Sequence, residues 1–516
     1  MESSCAEQYE KLAATRDSYL DRARECAKVT IPSLIPDTSH NSYARFPTPY
    51  QGVGARGVNN LASKLLLALL PPNAPFFRLQ VDDFTLEELA GDEDMRASVE
   101  ESLNKIERSI MTEMETDGLR SPMFEALKHL IVAGNVCLYL PKDGGSRVFP
   151  LSRYVVKRDP MGEVLTVIVK EEVAQSALPD DVLASIDPTI QRDKDEPVDV
   201  YTKMYREGSK YKMYQQIDNN IIAGTEATYP LDKSPILALR WTAIDGENFG
   251  RSYCDEYLGD LISLEGLSKA ILEASAAAAK ILFLVNPNGT TRPKDIAQAE
   301  NGDIINGNAN EVTVLQSQKQ ADMSIAQQTA QTVTQRLAQA FLMNTSVQRQ
   351  GERVTAEEIR FMAGELEDAL GGVYSILSQE FQLPLVARIM DRMTKAKRIP
   401  ALPKGVVRPA IVTGLEALGR GHDLQKLNLF MQTLGSLGPE AMSSVNMSDL
   451  ISRVGTSLGI DMSGLVKSQE QMQEEQQQMM QEQQQMMQQQ QMGDIAKAAA
   501  GPAVTAAANA AQGAMQ

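Results

Sequence analysis

Ala274-Ser275-Ala276-Ala277-Ala278-Ala279-Lys280-Ile281-Leu282-Phe283-Leu284-Val285-Asn286-Pro287-Asn288-Gly289 decides how the middle of this 516-residue chain is built. Working back from it, a helical segment is expected from Asp255 through Lys280 to Val285. About thirty helical residues would span roughly 45 Å, longer than an ordinary globular helix. The alanine run puts small side chains on every face, so neighbouring helices can approach closely. Asn286-Pro287-Asn288-Gly289 should stop the helix and reverse the chain, because proline cannot continue the ladder and pushes the residue before it out of helical space.

Forward of that stop, Thr290 to Asp322 carries the turn signals Asn301-Gly302-Asp303 and Asn306-Gly307-Asn308 around the short apolar runs Ile304-Ile305 and Val312 to Leu315. This predicts a compact tip with short strands. A return helix is expected from about Met323 to Thr345, with Ile325, Thr329, Val333, Leu337 and Phe341 on one stripe and mostly Gln and Thr elsewhere. Ser346 to Val354 then forms a cationic loop around Gly351. Thr355-Ala356-Glu357-Glu358 is a capping-box signature, so a third long helix should start there and run to about Lys397. Gly364, Gly371-Gly372 and Pro384 are the places where it should bend. Two long helices, a tip, a charged loop and a third helix suit the wall of a channel better than an active site.

Residues 1 to about 254 have an α+β pattern. Helices are predicted around Glu7 to Val29, Arg56 to Leu70, Ser98 to Thr116 and Pro122 to Ala133, with a Pro-marked connector through Pro32 and Pro36. Strands are predicted over Val148 to Val156 and Val164 to Glu171, joined by Asp159-Pro160-Met161-Gly162. Val198 to Tyr205 should pair with Lys210 to Gln216 across Glu207-Gly208-Ser209. The fold class is therefore α+β, mainly α. At the other end, Gln469 to Met492 is low-complexity Gln, Met and Glu, with Met472, Met479 and Met486 seven residues apart. That weak heptad seam fits either a helical barrel in an assembly or a disordered polar tail.

Composition narrows the function classes. With 43% hydrophobic residues the chain can bury a real core. Cys5, Cys26, Cys137 and Cys254 have no CxxC spacing, which argues against a disulfide framework or a cysteine zinc site and for a reducing compartment. The start Met1-Glu2-Ser3-Ser4 lacks the regions of a signal peptide, and the apolar runs Leu65 to Leu70 and Ile281 to Val285 are far short of a membrane span, so no membrane is implied. Gly52-Val53-Gly54-Ala55-Arg56-Gly57 fits a GxGxxG pattern, yet Pro47-Thr48-Pro49-Tyr50 precedes it in place of a buried strand; a helix start with close backbone packing is the better reading. There is no GxxxxGK[ST] run, so the chain is not itself a P-loop ATPase. His40, His129 and His422 lack ligand spacing, and His129 falls in an apolar helix as a satisfied packing residue. No catalytic constellation, cofactor or metal is implied, and the protein is not expected to be an enzyme.

Six groups of residues carry a family resemblance. They are Gly54-Ala55-Arg56-Gly57 with Asn59 to Leu65, Glu125-Ala126-Leu127-Lys128 with Val132 to Val136, and Gly250-Arg251-Ser252-Tyr253 with Glu256 to Leu261. Further along come Ser346 to Arg349 with Gly351 to Arg360, Gly371 to Glu380, and Thr413 to Ala417 with Gly419-Arg420-Gly421. On these blocks the sequence resembles the portal (head-to-tail connector) proteins of short-tailed, autographivirus-type double-stranded DNA phages. The resemblance covers most of the chain to about Ile460 and fades after Lys467.

That resemblance implies a wing over 1–254, a stem helix over 255–285, a clip over 286–322 and a second stem helix over 323–345. A tunnel loop (346–354), a long kinked helix returning to the wing (355–399), a helical crown (400–467) and a barrel or disordered tail (468–516) would follow. It implies a ring of twelve copies at one capsid vertex, assembled in the host cytoplasm, through which DNA is packaged and later ejected. The implied partners are the chain itself, major capsid protein, scaffold protein, the terminase large subunit, the tail adaptor protein, internal core proteins and double-stranded DNA held without sequence preference. Arg349, Gln350, Gly351, Glu352 and Arg353 would form the channel loop, its arginines a girdle able to touch phosphates. Asn286, Pro287, Gly289, Arg292, Lys294, Asn301, Asp303 and Asn306 would form the docking surface of the clip. A formal net charge of −17 suits a channel that repels phosphate and lets a duplex pass, and it equally suits a surface that only keeps the protein soluble. The rival readings are a scaffold or internal core protein, also helical, acidic and Gln-rich, and more distantly a nucleotide-dependent enzyme built on the Gly52 to Gly57 loop.

Overall fold

The computed structural model describes residues 4–37, 45–72, 75–81, 93–183, 196–279, 282–315, 320–343, 369–402 and 407–411, with a few single residues between them. Met1–Ala417 is one compact unit and Leu418–Gln516 a second, and every element below belongs to the first. Most of the expected crown, the tail, and Arg349, Gln350, Gly351, Glu352 and Arg353 of the expected loop lie outside the described residues, as do His40 and His422.

Helix α1 (Cys5–Lys28) begins where Ser4 accepts the Glu7 amide at 3.2 Å and Glu7 accepts the Ser4 amide at 3.3 Å, so two orphan donors are met reciprocally. Its buried side chains, among them Tyr9, Ala13, Leu20 and Ala27, recur every three or four residues and form one face. Helix α2 (Val53–Leu69) buries Val58, Leu61, Leu65 and Leu69 in the main core. Strand β1 (Phe77–Val81) comes next, then α3 (Glu93–Thr116) and α4 (Arg120–Ala133). Gly134 ends α4 in the left-handed region, at φ +71°. A Cβ there would lie 2.5 Å from the Arg251 carbonyl carbon, so both the backbone angle and the space require glycine.

Two antiparallel sheets complete the N-terminal body. Strands β2 (Asn135–Tyr139) and β3 (Arg147–Phe149) join β10 (Ile236–Arg240) in the order β10-β2-β3. The larger sheet runs β4 (Tyr154–Arg158), β5 (Val164–Ala174), β6 (Pro197–Glu207), β7 (Lys210–Ile217) and β8 (Asn220–Ile221), with β9 (Ala227–Pro230) also on β7. The β6–β7 hairpin turns at Gly208-Ser209, Glu207 facing Lys210, as the turn signal predicts. One face of this sheet enters the main core through Tyr154, Val156, Val167, Val169 and Met204. The other carries a small cluster with α1, Val155 and Ile168 against Cys5, Tyr9 and Ala13.

Motifs distant in sequence meet here. The side chain of Asn135 donates to the Gly250 carbonyl and accepts the Gly250 amide, both at 2.7 Å, while the Trp241 amide donates to the Gly134 carbonyl at 2.8 Å. Helix α5 (Tyr253–Glu256) follows at once, and α6 (Leu258–Ala278) leads into β11 (Leu282–Val285). After the short α7 (Pro293–Gln298), β12 (Val312–Leu315) pairs with β11, and α8 (Gln320–Ala340) returns to the body. The segment 369–395, α9, is helical throughout, with a π turn at Ser378–Gln382 just before Pro384. Strand β13 (Val407–Ile411) pairs with β1.

Several boundaries differ from expectation. The helix predicted to reach Val285 ends at Ala278, because Leu282–Val285 gains a strand partner in Val312–Leu315. The strand predicted over Val148 to Val156 breaks at Pro150. That residue has no amide to give the ladder, and the single turn Leu151–Arg153 carries the chain from one sheet to the other. Ile304-Ile305, predicted to be a strand, is exposed coil between Gly302 and Gly307. The return helix begins at Gln320 and stops at Ala340, short of Thr345. The region expected to be helical from Pro400 includes β13 instead, which is held by pairing across some 330 residues of sequence. Of the interruptions expected in the third helix, Gly364 lies outside the described residues, α9 runs unbroken through Gly371-Gly372, and a π turn, a usual local irregularity, stands just before Pro384.

Candidate functional site

Helices α6 and α8 form an antiparallel hairpin: Asp260, near the start of one, pairs with Arg336, near the end of the other, at 3.0 Å. The hairpin is poorly covered within one chain. Of the 21 residues in α6 only Leu261 and Leu264 are buried, and Ile262 and Leu272 are each 53% exposed. On α8 the predicted stripe divides, with Val333, Leu337 and Phe341 buried, Ile325 64% exposed and Thr329 also exposed. Apolar side chains left open on both helices are matched to neighbours that a single chain does not supply.

The tip closes on Glu311. Its carboxylate accepts the Thr291 amide at 2.9 Å, the Thr291 hydroxyl at 2.8 Å and the Thr290 hydroxyl at 3.3 Å, while its carbonyl accepts the Asn286 amide at 2.9 Å. The Thr291 hydroxyl in turn accepts the Asn308 amide at 2.9 Å. These bonds hold the Glu311 carboxyl below the usual carboxylate range, the Thr291 side chain contributing most. A Cβ on Gly289 would stand 2.5 Å from this carboxylate, so glycine lets the reversal close over it.

All eight residues proposed from the sequence for docking lie on this tip. Asn286, Pro287, Arg292, Lys294, Asn301, Asp303 and Asn306 are exposed, and Gly289 is half-buried beneath Glu311. Their common setting is a surface of amides, turns and a few charges around Ile304, which is fully exposed.

The base of the hairpin is built differently. Tyr253 meets Tyr257 and Phe341 edge to face, and the Tyr257–Phe341 and Trp241–Tyr253 pairs are tilted, with ring centroids 5.1 to 6.1 Å apart. Helix α8 ends in a Schellman arrangement, the Met343 amide donating to the Ala338 carbonyl at 2.7 Å and the Leu342 amide to the Gln339 carbonyl at 3.0 Å. Leucine occupies the left-handed position that glycine normally fills, at φ +53°, which costs about 1–3 kcal/mol. Three side chains offset it. Tyr253 Oη donates to the Ala340 carbonyl at 2.7 Å, Asn60 Nδ2 to those of Phe341 and Leu342 at 2.9 and 3.0 Å, and Lys64 Nζ to that of Leu342 at 2.8 Å. The positive ammonium also sits at the negative end of the helix dipole.

Gly52 to Gly57 belongs to this base. It opens α2, Gln51 accepts the Gly54 amide at 2.9 Å, and a Cβ on Gly57 would lie 2.6 Å from the Phe341 ring. The reading as a helix start with close packing therefore holds. Asn60 and Lys64 stand in one of the blocks that carry the family resemblance, but the sequence assigns them no role. Two polar side chains four apart on the inward side of an otherwise apolar helix are the signal that could have found them. His129 is buried as expected but not fully satisfied: its Nδ1 has no partner among the described residues, and burial lowers its pKa to about 4. Among the described residues no group of side chains is arranged to hold a metal ion, and no helix is long and apolar enough to cross a membrane.

Comparison with known proteins gives a consistent result. The profile of the family described as bacteriophage head to tail connecting protein matches residues 2–466. The portal protein of Enterobacteria phage T3 is 46% identical over 473 residues, 90% of this chain and 88% of that protein. The portal protein of Escherichia phage T7 is 44% identical over 476 residues, covering 90% and 89%, and that of Enterobacteria phage SP6 is 33% identical over 476, covering 90% of each. Among solved structures, the neck of an empty gene transfer agent particle aligns at TM-score 0.36 and 12% identity over 80% of this chain and 90% of that one. A native gene transfer agent virion aligns at 0.34 and 13%, over 79% and 90%. At those scores the structural likeness carries no argument, and the family rests on sequence.

Proposed function

The chain belongs to the bacteriophage head-to-tail connecting proteins, and from that premise we propose how its parts divide the work of a portal. It is a phage portal protein and a component of the virion, as its relatives at 44–46% identity are portal proteins. Joining head to tail is what the family description carries, and we infer that the chain does so as an oligomeric ring. The observation that supports it in this chain is the α6–α8 hairpin, whose apolar side chains Ile262, Leu272 and Ile325 stand open. In a cyclic assembly each copy meets its neighbour through the same heterologous contact, and the contact closes on itself around an axial hole. The chemistry is structural, since a passing duplex needs a wall and a fit, with no bond made or broken.

In the finer reading, the N-terminal body is the wing that meets major capsid protein and scaffold protein, and the hairpin is the stem. The tip is the clip on which the terminase large subunit and later the tail adaptor dock. The exposed Arg292, Lys294, Asn301, Asp303 and Asn306 offer those partners hydrogen bonds and both signs of charge. Arg349 and Arg353, with Gln350, Gly351 and Glu352, form a positive girdle that steadies DNA through its phosphates, and the crown and tail face the internal core proteins. Twelve copies of 56.5 kDa make a ring of about 680 kDa.

Electron-microscope rotational averaging of the purified chain tests the ring: closed rings with an axial hole are expected, and monomers or irregular oligomers would move the reading to a scaffold protein. Particles carrying Arg349→Ala and Arg353→Ala test the girdle. They are expected to lose packaged DNA, and wild-type retention would remove the loop's assigned role.

A further inference from the structure

We propose that Asn60 and Lys64 are positioning residues that fix the angle at which the α6–α8 hairpin leaves the N-terminal body, and through it the number of copies in which the ring closes. The inference rests on the portal reading above. Along its length the hairpin has little support within one chain, with two buried residues on α6 and an exposed first half of α8. At its base the support is dense. Three carbonyls in a row, those of Ala340, Phe341 and Leu342, are held by Tyr253, Asn60 and Lys64, and the last two of these side chains come from one helix of the body.

Gly57, on the same helix, lets the Phe341 ring sit where any side chain would push it away. Leu342 takes a backbone conformation that leucine avoids, and such a conformation persists where the surroundings over-determine it. A second tie reaches the other helix: the Glu265 carboxylate accepts the amides of Tyr50 and Gln51 at 2.9 and 3.1 Å, just before α2 begins. Both helices of the hairpin are thus bound to α2 and its approach.

A lever held only at its base magnifies any error there. Each helix of the hairpin is about 30 Å long, so a tilt of a few degrees at the base moves the far end by more than about 1 Å. Ring closure is as sensitive, because near twelve copies, one copy more or fewer changes the rotation per copy by only about 2–3°. The base must therefore hold its angle more tightly than that if one copy number is to dominate. Carbonyls held by directed hydrogen bonds from a buried lysine and a half-buried asparagine do this better than apolar contact, which tolerates sliding.

The full chain is purified as wild type, Asn60→Ala, Lys64→Arg and the double variant Asn60→Ala/Lys64→Met. Copy number is counted by native mass spectrometry and rotational averaging, with melting temperature followed in parallel. The double variant is expected to form rings whose fraction outside the main wild-type copy number rises at least twofold. Lys64→Arg, which keeps a donor in place, should retain the wild-type distribution. An unchanged distribution in the double variant, whatever its melting temperature, would overturn the inference and leave the clamp a stabilising contact only. Should the double variant fail to fold, Asn60→Ala alone decides in the same way. Absence of rings from the wild-type chain would overturn the portal reading itself, a result distinct from intact rings of unchanged copy number.

Discussion

Glu380, in the π turn of α9, accepts Arg240 Nε at 2.8 Å and lies 3.9 Å from Arg158 Nη1. Both guanidiniums are buried in the body, and Arg158 also donates to the carbonyls of Gly162, Ala238 and Asn248, so one carboxylate ties the two sheets to the helix. Glu380→Gln would leave two desolvated cations facing a neutral amide. The expected loss is about 3–5 kcal/mol of unfolding free energy, measured by chemical denaturation. Gly134→Ala is expected to cost about 2 kcal/mol or more by the same measurement, since it combines a positive φ with a clash on the Arg251 backbone. The cysteines behave as core residues. All four are buried, and burial pushes the Cys26 thiol up to about 12 and raises those of Cys137 and Cys254. Alkylation followed by mass spectrometry should leave them unlabelled at neutral pH until the chain unfolds. At this scale the sequence was partly legible: GxGxxG was correctly read as packing because no strand precedes it, while the partners of Asn60, Lys64 and Glu380 lie 140 or more residues away and leave no local trace.

Elements with local causes follow the sequence closely. The Ser4 capping box starts α1, Gly134 stops α4, and Gly208 turns β6 into β7, each by a few neighbouring residues. Elements that exist by pairing do not. Leu282–Val285 continues an alanine-rich helical run and is equally apolar in either state, and only Val312–Leu315 beside it makes it a strand. The same holds for β1 with β13 and for β2 with β10. The tip gives a pH test of its own closure. The folded Glu311 carboxyl titrates below its unfolded value, so its contribution is fully present above the ordinary carboxylate value of about 4.3 and is lost as pH falls through the lower folded value. Hydrogen exchange at the Asn286 and Thr291 amides should therefore stay protected to a lower pH than an ordinary carboxylate would allow. Thr291→Val, which removes the largest of the stabilising bonds, should move that loss upward.

For the whole molecule, the open faces of the hairpin make the assembly the relevant unit of stability. Leu272→Glu together with Ile325→Glu places charge on both helices where neighbours are expected. Rings should be lost in sedimentation velocity while circular dichroism stays unchanged, because neither side chain is part of the folded core of one chain. Rings of undiminished size would mean that these faces meet solvent in the assembly. The sequence by itself determined the α+β class, the helix-tip-helix layout, the family and the portal function, since repeated apolar spacing, turn residues and family blocks are all local strings. It also located the tip that carries the proposed docking residues. Only the tertiary structure decided where α6 gives way to a strand, that β13 lies beside β1, and that Asn60, Lys64 and Tyr253 close over the end of α8. Those features depend on which distant groups are brought together to satisfy backbone carbonyls and ladder bonds, and a hydrogen-bond partner hundreds of residues away is fixed by folding and is not written beside the residue it serves.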